Sequence, residues 1–170
     1  MKSIYVDAEE DLPPNAPPSR GRPVQINYFV DSDHAGNRIT RRSHTGILLF
    51  CNSEPILWHS KRQKTVEIST FGSEFVALCI ATDLIVSLRY KLSMLGMPVD
   101  GPAHLFCDNE SVWKKKHNSI CFHRVRECVA SGLFFPFKFD SRHNLSDILT
   151  KSLPVQSRLR LCSSIMYQDA

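Results

Sequence analysis

QINYFVDSDHAG, Gln25 to Gly36, is the stretch whose reading decides the fold. Ile26, Tyr28 and Val30 alternate with Asn27, Phe29 and Asp31, and β-branched and aromatic residues dominate, so the segment predicts a largely buried strand. Asp31 then falls inside or at the end of that strand. A carboxylate there is costly unless it is hydrogen-bonded, paired with a cation or bound to a metal, which marks it as a candidate site residue rather than a solubilising charge. Asp33, two residues on, shares its side of the pleat if the strand continues that far, and otherwise suits the turn that Gly36 and Asn37 announce.

Downstream, GILLFCN and PILWHSK read as two further strands across the short NSEP connection, and three strands in succession predict an antiparallel meander. Ser69 or Thr70 then suits the N-cap of a helix from about Phe71 to Leu95, because Phe75, Leu78, Ile85, Leu88, Leu92 and Leu95 recur at helical spacing. Gly96 and Pro98 stop it. Glu74 lies in or near its first turn, where the helix dipole favours an anion, and it neighbours the apolar stripe. AHLFCD is a fourth strand ending in Asp108, with NESVW starting a helix behind it. A change from meander to strand, helix and strand implies that the fourth strand runs parallel to the first through a right-handed crossover. Asp31 and Asp108 would then emerge at one edge of an α/β sheet, where such folds place their sites.

KKKHNSICFHRVRECVASG predicts another helix, ended by Gly132, and LFFPFKF a fifth strand that Pro136 confines to an edge. NLSDILTKSLPVQSRLRLCSSIM reads as helical on either side of Pro154. Residues 1–23 form an acidic, then proline-rich lead-in, with Pro13, Pro14, Pro17, Pro18 and Pro23 excluding helix and central strand; residues 24–170 form the folded domain.

A length of 170 residues with 42% hydrophobic and 22% charged content is that of one ordinary globular domain. The net charge of +4 is compatible with a polyanionic partner. The N-terminus has no apolar core of signal-peptide length, and no later run approaches the roughly 20 apolar residues of a membrane span, so an intracellular protein is expected. Six cysteines without a CxxC pair suit reduced thiols rather than a disulfide framework. Carboxylates at the ends of two adjacent strands and at the head of the crossover helix need cations. Their hard oxygens suit Mg²⁺ or Mn²⁺, and two such ions roughly 3.5–4 Å apart are the recurring device of phosphodiester cleavage.

VDSDHAGNRITRRSHTGILLF, PILWHSKRQKTVEISTFGSEFVAL, FCDNESVW and NLSDILTKSLP, in that order, closely resemble the ribonuclease H domain of a copia-type LTR retrotransposon Pol polyprotein. The resemblance covers nearly the whole chain from about Val24. It implies an α/β fold of the ribonuclease H type, a five-stranded mixed sheet of three antiparallel strands and parallel additions, flanked by helices. It places the catalytic, metal-holding acids on Asp31, Glu74, Asp108 and Asp147, with two Mg²⁺ or Mn²⁺ ions as cofactor. The implied reaction is hydrolysis of the RNA strand of an RNA–DNA hybrid during reverse transcription. The implied partners are that hybrid and the reverse transcriptase domain of the same or a related polyprotein, in the cytoplasm within a virus-like particle or in the nucleus. Lys61, Arg62, Lys64, Lys114 and Arg124 are the candidates for hybrid phosphates. His143, near Asp147, is a weaker candidate for product release. Gly72 stands where many relatives have a second acid, Trp113 runs directly into Lys114 where relatives have a longer connection, and the stretch before Asn144 departs from the family pattern in being unusually aromatic and containing Pro136. The second favours the alternative, a catalytically inactive remnant that keeps the fold and nucleic-acid binding.

Overall fold

A computed structural model of the chain describes residue 5, residues 7–109 and residues 120–166. β1 (Ile26–Asp33), β2 (His44–Cys51) and β3 (Glu54–Arg62) form the expected antiparallel meander. Asn52 turns the second hairpin at φ 57°, a left-handed conformation that asparagine tolerates better than most residues. α1 (Thr70–Met94) crosses to β4 (Ala103–Cys107), which lies parallel to β1. α2 (Ile120–Ala130) leads to β5 (Phe134–Lys138), parallel to β4. The sheet order β3-β2-β1-β4-β5 leaves β5 at an edge, as Pro136 requires. The helix expected from NESVW and the junction of Trp113 with Lys114 lie outside the described residues.

Ser69 caps α1, its hydroxyl accepting the Gly72 N–H at 3.1 Å. Glu74 consequently sits in the second turn rather than the first, and the first turn of α1 carries no acid. By length and composition α1 is long and apolar enough to cross a membrane, which the sequence reading did not anticipate. Its apolar face is used inside the protein. Phe75, Ala77, Leu78, Ala81, Ile85 and Leu92 pack in one cluster with Ile26, Tyr28, Val30, Ile47, Leu49 and Leu105 of the sheet. Burial of that many aliphatic and aromatic side chains is the main force holding helix to sheet.

The opposite sheet face is covered by the C-terminal segment. Leu48 and Phe50 of β2 meet Leu145, in a 3-10 turn over Leu145–Leu149, and Leu161 of α3 (Val155–Ser163). Pro154 sits at the N-cap of α3, breaking the two helical pieces where the sequence indicated. Beside them Phe29 stacks on Phe106, and Phe139 packs edge-on to Phe29 and tilted to Phe106, with ring centroids 5.0–5.7 Å apart, so the aromatic run after β5 helps carry the chain back across the sheet. Gly46 makes this approach possible. A Cβ there would stand 2.6 Å from Thr150 Cγ2 and 2.9 Å from the Ser146 carbonyl oxygen.

Among its described residues the lead-in has no regular element, as its prolines dictate, but it is tied down. Arg89 of α1, 8% exposed, grips Glu10 through Nε at 2.6 Å and Nη2 at 2.7 Å, and donates to the Gly101 carbonyl at 2.8 Å. The Arg20 N–H reaches the Gly96 carbonyl at 2.7 Å.

Gly46→Ala should therefore lower stability by about 2 kcal/mol, an overpacking cost against backbone that cannot step aside. Urea unfolding of the two proteins measures it; an unchanged midpoint would mean that residues 146–150 do not lie over β2.

Candidate active site

The register of β1 sets the geometry. Ile26, Tyr28 and Val30 are buried toward α1, so Asp31 projects to the side covered by the C-terminal segment, opposite Gly46 on β2. It is 4% exposed. Both of its oxygens are engaged from 119 and 120 residues away: Thr150 Oγ1 donates to Oδ2, and Lys151 Nζ to Oδ1 at 3.1 Å. Lys151 also donates to Asp147 Oδ1 at 2.9 Å, the i,i+4 partner one helical turn back.

Asn144 holds this segment in place from beneath. It is fully buried, its Nδ2 donating to the Val30 carbonyl at 3.0 Å and its Oδ1 accepting from the Ser146 N–H and hydroxyl at 3.2 and 2.7 Å. One side chain thus caps the turn that bears Asp147 and anchors it to the strand that bears Asp31.

Asp108 follows β4 directly, beside the end of β1. Glu74 reaches the same cleft from α1 and accepts a hydrogen bond from Asn109 Nδ2. The cleft is lined by Val30, Asp31, Ser32, Glu74, Ala77, Leu78, Cys107, Asp108 and Asn109. Burial pushes Glu74 up to about 7, with the charges of Asp108 and Asp31 adding to it against the Asn109 hydrogen bond. Burial also raises Asp108, helped by Asp31, and raises Asp147, helped by Asp31 and Asp108 against the Lys151 hydrogen bond. Burial lowers Lys151, but its bonds to Asp147 and Asp31 and their charges outweigh this and hold it above the usual lysine range.

The four acids expected from the sequence are therefore brought to one end of the sheet. The donor set suits a hard divalent cation: Asp31 and Asp147 share Lys151, Glu74 and Asp108 have no cation paired with them among the described residues, and the Ser32 hydroxyl in the same cleft as Asp31, Glu74 and Asp108 is buried without a hydrogen-bond partner. Among the described residues no three of these groups stand close enough to form a ready-made metal cage. Asp33 is a turn residue, accepting the His44 N–H to close the first hairpin.

Placement of the basic candidates is uneven. Arg62 lines an open groove with Asp33, Arg42, His44, Thr150 and Lys151, continuous with the Asp31 end of the site. Lys61 and Lys64 are exposed beside it in the chain. Arg124 lies elsewhere, on α2 in a groove with Glu9, Glu10, Asp11, Asp83 and Glu127 whose charge repels phosphate, so it drops out as a candidate. Lys114 lies outside the described residues. His143 is exposed, 4.0 Å from Asp140, whose main partner is Arg142. Sequence reasoning missed Thr150, Lys151, Asn144, Asn109 and the Arg42–His44 groove; the i,i+4 spacing of Asp147 and Lys151 was the available signal for one of them.

Sheet order and the convergence of acids at the strand ends define an α/β protein of the ribonuclease H fold. A solved structure, the N-terminal RNase H domain of a Mycobacterium tuberculosis protein, superposes with a TM-score of 0.50 and 15% identity, covering 83% of this chain and 98% of that one. In sequence the chain is similar to the retrovirus-related Pol polyprotein from transposon TNT 1-94 of Nicotiana tabacum, 28% identical over 151 residues, which is 83% of this chain and 11% of the relative. It is 26% identical over 144 residues to that from transposon RE1 of Arabidopsis thaliana, 79% of this chain and 10% of the relative. The chain spans about a tenth of the length of these relatives. No protein-family model matches it. The resemblance to the ribonuclease H domain of a copia-type retrotransposon Pol polyprotein stands on both homology and fold.

The raised acids set the sign of a pH effect. Glu74 binds its proton more tightly folded than unfolded, so its contribution to stability is fully present below about pH 4.5 and lost as pH rises through about 7. Asp108 and Asp147 act in the same direction. In EDTA the melting temperature should fall between pH 5 and pH 8, and Glu74→Gln should shrink that fall; an identical fall in the variant would show that Glu74 is not held among the other acids.

Proposed function

We propose that the chain is a nuclease that hydrolyses the RNA strand of RNA–DNA hybrids endonucleolytically with two divalent ions, Mg²⁺ or Mn²⁺, in the course of retrotransposon reverse transcription. The observation that carries this reading is the gathering of Asp31, Glu74, Asp108 and Asp147 at one end of the sheet, where the first three line one cleft and Asp147 is tied to Asp31 through Lys151. These acids are the residues that would hold the ions, which when bound supply the charge that activates water and steadies the leaving oxygen.

The rest is work for the chain's own groups. Asp31 and Asp108 stand at the ends of hydrogen-bonded strands, so their positions are fixed before substrate arrives, as catalytic positioning demands. Asn109 orients Glu74 by holding Oε2. Arg42, His44 and Arg62 line the adjoining groove and supply the donors and charge that a phosphate backbone calls for. Hybrid RNA as substrate is supported by similarity: the solved neighbour is an RNase H domain and the relatives are Pol polyproteins. A reverse transcriptase domain of the same or a related polyprotein would supply the hybrid.

The purified chain incubated with a labelled hybrid and Mg²⁺ or Mn²⁺ should cut the RNA strand and leave single-stranded RNA intact. Asp108→Asn should lose at least a hundredfold in rate, as loss of a transition-state electrostatic group does. A folded parent that binds hybrid without cutting it would replace this reading with that of an inactive remnant.

A further inference from the structure

We propose that Lys151 is the resident cation of this site, holding Asp31 and Asp147 together in the metal-free protein and withdrawing when a divalent ion is seated between them. The inference rests on the reading of the acids as metal-holding groups and adds a positioning residue to it.

Three observations carry it. The ammonium bridges two acids from different elements, 3.1 Å from Asp31 Oδ1 and 2.9 Å from Asp147 Oδ1, where a cation between carboxylates belongs. Among the described residues no other lysine or arginine pairs with any of the four acids, so there Lys151 is the counter-charge of Asp31 and Asp147. Its side chain is 36% exposed while those of Asp31 and Asp147 are 3% and 12% exposed, so the lysine is the member able to leave.

A way out exists. Lys151 also lines the open groove shared with Asp33, Arg42, His44, Arg62 and Ser152. Lysine is a compact charge on a flexible four-carbon stem, suited to swing between two positions while its backbone stays fixed by the Lys151 N–H bond to the Asp147 carbonyl at 2.9 Å. Thr150 is different: its hydroxyl supplies a hydrogen bond to Asp31 but no charge, so it does not compete with an ion.

A purely structural lysine and a resident cation make opposite predictions for metal affinity. Removing a structural clamp lets the acids drift apart and weakens binding; removing a competitor strengthens it. Mn²⁺ titrated calorimetrically into the full chain without nucleic acid should bind Lys151→Met roughly fivefold more tightly than the parent, the scale of a partly exposed ion pair. Lys151→Arg, which keeps the charge, should stay close to the parent. Thermal melts give a second readout: Lys151→Met should lose stability in EDTA and regain more of it than the parent does on adding Mg²⁺. Lys151→Gln replaces the Met variant if that one fails to fold.

Asp31→Asn separates the two layers of the argument. Mn²⁺ binding that Asp31→Asn abolishes, with Lys151→Met equal to or weaker than the parent, would overturn the resident-cation role and leave the metal site standing. Mn²⁺ binding that is absent or indifferent to Asp31→Asn would overturn the metal site, and this inference with it.

Discussion

The buried carboxylate of Asp31 is the constraint on which the rest of the structure depends. A charge 4% exposed on a strand end has lost most of its hydration and must be repaid by hydrogen bonds and a counter-charge. Both come from one short segment, Thr150 and Lys151, more than a hundred residues away. The chain after β5 is routed accordingly: the aromatic cluster of Phe29, Phe106 and Phe139 helps carry it across the sheet, Asn144 pins it under β1, and the bare Cα of Gly46 gives it room. Asp147 arrives beside Asp31, joined to it through Lys151, as a result of that routing.

The end state sets a cluster of carboxylates beside a groove that carries arginines. Burial raises Glu74, Asp108 and Asp147, neighbouring carboxylates add to it, and among the described residues Lys151 is the cation that compensates. Next to them Arg42 and Arg62 present the opposite sign. The proposed hydrolysis of a polyanion by a carboxylate-held metal calls for acids and basic residues side by side in this way.

Much of this was legible in the chain because it is written in local pattern. The period-two alternation around Tyr28, the helical spacing from Phe75 to Leu92 and the Pro136 edge signal gave strand order and layering, and with them the joint emergence of Asp31 and Asp108. What was hidden depends on contacts between distant segments. Nothing in the neighbourhood of Asn144 announces that it caps a turn and holds the Val30 carbonyl at once. Arg124 looked like one more basic residue among several, and only the packing of α2 against α1 and the docked lead-in puts it among Glu9, Glu10 and Asp11. The lead-in itself looked like a linker because prolines forbid regular structure, but they do not forbid docking, which here rests on the Arg89–Glu10 pair.

The central claim is that Asp31, Glu74, Asp108 and Asp147 form one cation-holding centre. Anomalous diffraction from crystals of the chain grown with Mn²⁺ tests it most directly, because the scattering locates the ions without reference to activity. The account predicts Mn²⁺ peaks bounded by carboxylate oxygens of these four residues, with the Lys151 ammonium turned out of the space between Asp31 and Asp147. Well-occupied Mn²⁺ at other places on the surface, with Lys151 still bridging the two aspartates, would contradict it.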